Sequence, residues 1–90
     1  MEFEFDPAKS EANRTKHGID FVQAQELWKD LYALQIQAKS DTEPRFALIA
    51  RLEERVWSVF FTERDSKIRI ISARRSRTNE EDLYHESRTT

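Results

Sequence analysis

Six basic side chains crowd residues 64 to 77 (Arg64, Lys67, Arg69, Arg74, Arg75 and Arg77), with one acid, Asp65, among them. The intervening Ile68, Ile70 and Ile71 mark a packed strand rather than a loose basic tail. A guanidinium offers five N–H donors in a rigid planar fork that matches phosphate oxygens. A sheet displaying several of them is therefore a candidate phosphate-binding surface. Strand alternation assigns Arg69, Ile71, Ala73 and Arg75 to one face and Ile68, Ile70, Ser72 and Arg74 to the other. Immediately upstream, Thr62-Glu63-Arg64 leaves the end of a strongly apolar strand. Glu63 has the chemistry of a general base and Arg64 that of a phosphate clamp, and such groups usually sit where a rigid scaffold hands over to a loop. The plainer reading stays open. Glu63 could simply face solvent in a turn, and the arginines could form solvated ion pairs with Glu53, Glu63 or the acidic last helix.

A second candidate is Lys16-His17-Gly18. A histidine titrates near neutrality and can pass a proton. Equally, Lys16 and His17 suit the last turn of a helix, where cations meet the negative end of the dipole, with Gly18 as a left-handed cap. His85 sits in a polar terminal segment and carries less. No spacing of His and carboxylates has the look of a metal site, and a single glycine rules out a Gly-rich phosphate loop. No cofactor is expected.

Ninety residues make one small domain, taken as residues 1–90. Lys plus Arg number 15 against 17 Asp plus Glu, a net charge of −2, so any attraction for a polyanion must come from a local patch. The absence of cysteine removes disulfides, thiolate metal sites and a Cys nucleophile, and fits a reducing compartment. No apolar run approaches the ~18 residues of a membrane span. A soluble, cytoplasmic protein is the expectation.

The elements that would position these groups can be read from local patterns. Met1–Phe5 alternates as a short strand. Asp6-Pro7 caps and opens a helix over residues 8–17. Asp20 and Gln23 have capping-box spacing for a second helix, with Ile19 stapled onto Ala24 and Phe21, Ala24, Leu27, Trp28 and Leu31 as its buried stripe. Four strands come next: 32–38, 45–51, 56–62 and 67–75, joined by turns at 39–44, 53–54 and 64–66. The third is apolar enough to be central and buried on both faces, so that Trp57, Phe60 and Phe61 belong to the core. Successive hairpins imply an antiparallel meander. Thr78 and Glu81 form a capping box for a short last helix ending near Glu86. The expected fold is α+β, with helices on one face of the sheet and the other face partly open.

Phe5-Asp6-Pro7-Ala8-Lys9, Asn13, Lys16-His17-Gly18-Ile19 and Phe21 resemble the opening of the BrnT family of type II toxins. Thr62-Glu63-Arg64 and Ile68-Arg69-Ile70-Ile71-Ser72-Ala73-Arg74-Arg75 resemble its second half. The resemblance runs to about Glu86. It implies a RelE-like fold and a metal-independent ribonuclease that arrests translation. It also implies a BrnA-like antitoxin that neutralises the toxin and engages operator DNA through its own DNA-binding domain. On that resemblance Arg64, Arg74 and Arg69 would hold the scissile phosphate, Glu63 or His17 would transfer the proton, and Lys16, Lys67 and Arg75 would support RNA binding. The rival expectation is a non-catalytic RNA- or protein-binding module that serves as an antitoxin-docking co-repressor.

Overall fold

The computed structural model describes residues 1–88. The chain runs β1 (Glu2–Glu4), α1 (Pro7–His17), α2 (Phe21–Ala24), a 3-10 turn (Gln25–Lys29), β2 (Leu34–Ala38), β3 (Arg45–Leu52), β4 (Arg55–Arg64), β5 (Lys67–Arg75) and α3 (Thr78–Arg88). It is an α+β fold around a five-stranded sheet of order β1-β5-β4-β3-β2. The last four strands form the expected antiparallel meander. β1, however, pairs parallel to β5, so the sheet is mixed. The physical reason is that β1 leads into helices and not into a hairpin, and these carry the chain across the sheet before the meander begins.

The helix ends obey their local signals. Asp6 accepts the Ala8 N–H at 2.9 Å, and Gly18, at φ 80°, donates its N–H to Arg14 O to close α1. Asp20 and Gln23 form a reciprocal capping box. The second helix is shorter than its stripe suggests. After Ala24 it tightens into the 3-10 turn and stops at Asp30, so Leu31 is 95% exposed while Phe21, Ala24 and Leu27 are buried. Asp30 ends the helix because its carboxylate is engaged elsewhere, accepting the backbone N–H of Tyr32 and Arg51.

One face of the sheet (Leu48, Ala50, Trp57, Val59, Phe61, Ile70 and Ala73) packs with Ile19, Phe21, Ala24 and Leu27 into the main core. Asn13 ties α1 to this layer. Its amide donates to Ile19 O (2.7 Å) and Ala73 O (2.9 Å) and accepts the Ala73 N–H, as a neighbouring strand would. The last helix crosses to the other face, where Tyr84 packs with Ile49, Val56 and Ile36. The helices thus lie on both faces, unlike the one-sided arrangement expected from sequence, because Tyr84 is the one residue of α3 that is buried. The capping box of α3 is also displaced: Glu80, not Glu81, reaches back, to the Arg77 N–H.

Two tight turns frame β4. Leu52 pairs with Arg55 across Glu53-Glu54, and Arg64 pairs with Lys67 across Asp65-Ser66. Asp65 and Ser66 both have positive φ, 49° and 66°, the type I′ geometry that matches strand twist. Arg64 is therefore the last strand residue rather than part of the turn. No helix among the described residues is long and apolar enough to cross a membrane.

Candidate nucleic-acid interface

The basic strand does not alternate as its sequence suggests. Phe60 pairs with Ser72, but Phe61 pairs with Ile70, leaving Ile71 as a bulge. One extra residue breaks the strict alternation between the side chains before it and those after it. Arg69 therefore joins Ser72 and Arg74 on the face away from α1, with Lys67 and Arg64 beyond it. Arg75 points the other way, beside Trp57.

The resulting surface can be traced row by row across the sheet. Glu2, Lys67 and Arg64 lie in one row; Glu4, Arg69 and Thr62 in the next; then Ser72, Phe60 and Ala47; then Arg74, Ser58 and Ile49. Helix α3 roofs the last row and packs against Ile36, the neighbour of the buried Ala47 in the third. In the first two rows Thr62 is buried, while Glu2, Lys67, Arg64, Glu4 and Arg69 stay exposed or partly exposed. Phe60, expected in the core, is half-buried here, with the Arg74 guanidinium 5.1 Å above its ring.

Acids are interleaved with these cations. Arg64 meets Glu43 at 3.4 Å, Lys67 meets Glu2 at 3.8 Å and Arg69 meets Glu4 at 3.9 Å. Such loose, solvent-washed pairs contribute about 0–1 kcal/mol each, so an incoming anion could replace them. Arg74 is held differently. Glu80 binds it in a bidentate fork at 2.8 and 2.9 Å and also accepts from Ser58 Oγ and the Arg77 N–H. Burial works to raise the Glu80 pKa, but the bonds from Arg74, Arg77 and Ser58 and the charge of Arg74 prevail and hold it down at about 2. The Arg74 fork is thus oriented but occupied.

The other predicted residues lie elsewhere. Glu63 pairs with Ile68, a core-face residue, so its exposed carboxylate turns to the helix side, back to back with Arg64. Lys16 and His17 end α1, next to Gly18 in a cleft of about 500 Å³ shared with Ile19, Leu52, Arg55 and Trp57. Trp57 is six residues along β4 from Glu63, roughly 20 Å at 3.3 Å per residue. Arg75, paired with Trp57, belongs to the His17 end. The predicted set therefore separates into Arg64, Lys67 and Arg69 on the open face, Arg74 at its roofed margin, Glu63 on the reverse of the hairpin, and Lys16, His17 and Arg75 at the far end.

Three residues on or beside this face were not selected from sequence. Glu80 looks like any acid at a helix start, although its spacing from Arg77 is that of a cap. Glu4 looks like an ordinary polar position in an alternating strand. Arg45 opens β3, half-buried, and its Nε is buried without a hydrogen-bond partner. Among the described residues no group of three or more His, Cys, Asp or Glu has the proximity to hold a metal ion.

Residues 5–80 match the family described as ribonuclease toxin, BrnT, of type II toxin-antitoxin system. No curated protein matches the chain.

Proposed function

The chain belongs to the BrnT family of ribonuclease toxins of type II toxin–antitoxin systems, and on that premise we propose that it cleaves RNA without a metal ion on the open face of its sheet. The observation that carries this reading is the bulge at Ile71, because it aligns Arg69 with Arg64, Lys67 and the margin residue Arg74. In metal-free cleavage the 2′-OH attacks the adjacent phosphorus, the 5′-oxygen leaves and negative charge grows on the non-bridging oxygens. Arg64, Lys67 and Arg69 exchange their carboxylate partners for those oxygens, and charge-assisted donors held on a rigid sheet stabilise the developing charge. Arg74, clasped by Glu80 and stacked on Phe60, limits the site on one side. Glu63 and His17 face away from this row, so the proton acceptor is assigned to Glu4, whose carboxylate lies 3.9 Å from Arg69.

The toxin acts by halting translation and growth in the cytoplasm, and a BrnA-like antitoxin neutralises it and reaches operator DNA. The test is cleavage of RNA by the purified protein with excess chelator. Shortened products with 2′,3′-cyclic phosphate ends are expected, and Arg69→Gln should slow cleavage on the order of 10²-fold. Full activity in both Arg64→Ala and Arg69→Gln would sink the site assignment. Retarded but intact RNA would favour the non-catalytic docking module. Growth arrest on expression, relieved by the adjacent gene, tests the antitoxin part.

A further inference from the structure

We propose that Arg45 anchors a phosphodiester of single-stranded RNA on this face, an inference that rests on the ribonuclease reading above. Arg45 precedes Phe46, which pairs with Phe61, so it falls level with Thr62 and, one strand further, with Arg69. The separation of Arg45 from Arg69 is two strand spacings, roughly 10 Å, and two guanidinium arms can bridge it through one backbone segment. Every other cation of this surface has a carboxylate: Glu43 for Arg64, Glu2 for Lys67, Glu4 for Arg69 and Glu80 for Arg74. Among the described residues no hydrogen bond or ion pair is formed by the Arg45 side chain, and its Nε–H is buried without an acceptor. A buried, unsatisfied donor costs stability and calls for an explanation. The side chain is only half-buried, and swinging it outward onto a ligand oxygen would satisfy that donor.

The surroundings suit such an anchor. Thr62 Oγ1 donates to Pro44 O at 2.7 Å, which pins the residue before Arg45 against β4 and fixes where the arginine departs. The next row holds Ala47, Phe60 and Ser72. Ala47 is buried, and the partly exposed Ser72 and the half-buried ring of Phe60 form the surface along which a sugar-phosphate backbone would lie. A free arginine beside three loosely paired cations thus gives the substrate a first contact that breaks no existing ion pair.

The test is fluorescence anisotropy with a fluorescein-labelled, 2′-O-methylated oligoribonucleotide, which cannot undergo attack by its own 2′-OH, titrated at several KCl concentrations. Arg45→Met should weaken binding and flatten the slope of log affinity against log salt by about 0.7, the loss of one phosphate contact. Its thermal midpoint should be unchanged or higher, because an unsatisfied donor has been removed, and Arg45→Lys should restore the slope. Unchanged affinity and slope in Arg45→Met overturn the proposal. So does a lowered midpoint, which would mean the fold itself uses the charge. Loss of antitoxin affinity with RNA affinity intact also overturns it, in favour of a protein ligand. If the wild-type protein binds with the predicted slope change but cleaves nothing under chelation, the anchor stands and the ribonuclease reading fails.

Discussion

Replacing Glu80 with glutamine is the sharpest probe of how this fold holds its last helix to the sheet. The carboxylate accepts four hydrogen bonds, two from Arg74, one from Ser58 and one from the Arg77 backbone. Its pKa falls from 4.5 to about 2, a difference that corresponds to roughly 3 kcal/mol at 1.36 kcal/mol per pH unit. The side chain is 14% exposed and that of Arg74 22%, so residual solvent screening trims the expectation to about 2 kcal/mol. For a domain of this size that lowers the thermal midpoint on the order of 10 °C. The pH dependence has a definite sign. Because the folded-state pKa is depressed, the stabilisation is fully present above about pH 5 and is lost as pH falls from 4.5 through 2. Glu80→Gln should therefore be far less stable than the wild type at pH 7. The two should converge near pH 2, where protonated Glu80 is a neutral near-isostere of glutamine. Urea unfolding across this range measures the gap directly. A gap below about 0.5 kcal/mol at pH 7, or one that persists undiminished at pH 2, would refute the claim that an ionised Glu80 fastens α3 to the sheet.

The same geometry sets three further outcomes. Asn13→Ala removes the side-chain partner of both Ala73 backbone groups and of Ile19 O, and should cost about 2–4 kcal/mol in chemical denaturation. Ser66→Gly, at φ 66° in the β4–β5 turn, should stabilise the protein by about 0.5–1 kcal/mol and raise its midpoint in a thermal scan. Tyr84→Phe breaks the 2.6 Å bond to Asp30 Oδ2 and should cost about 1–2 kcal/mol. Burial and that hydrogen bond push the Tyr84 hydroxyl up to about 12, so ultraviolet titration of the wild type should show one tyrosine ionising late and the variant should lose it.

What the sequence discloses is whatever is settled within a few residues. Asp6, Gly18 and the Asp20–Gln23 pair declare their helix ends because caps are local hydrogen-bond arrangements. The meander is legible for the same reason, since each hairpin joins neighbours. Three features escape because they depend on distant partners. The parallel pairing of β1 is decided more than sixty residues downstream, at Lys67–Arg69. Leu31 continues a helical stripe on paper, yet Asp30 leaves the helix to serve Arg51 and Tyr84. The bulge at Ile71 is a matter of pairing with β4, and nothing in Arg69-Ile70-Ile71-Ser72 announces it. That last omission matters most for the site, because strict alternation separates Arg69 from Arg74 and the bulge reunites them.

The interleaved acids resolve an apparent conflict between a net charge of −2 and the polyanionic substrate proposed above. If the arginines were unpaired, the surface would hold several like charges within a few strand spacings and destabilise the sheet by self-repulsion. Edge strand β1 prevents this by placing Glu2 and Glu4 level with Lys67 and Arg69, while Glu43 attends Arg64. At 3.4–3.9 Å and in contact with water, each pair contributes little to stability, and so costs little to exchange. A phosphate that displaces a carboxylate keeps the cation satisfied and frees the acid, and at Glu4 the freed acid stands beside the bound phosphate, where the proposed reaction needs a base. Only the Arg74–Glu80 pair is too well made to exchange in this way, which is why its strength is expressed in the attachment of α3 and not in a grip on substrate. At rest the cations of this face other than Arg45 are thus paired with acids, and the proposed exchange would release Arg64, Lys67 and Arg69 for phosphate.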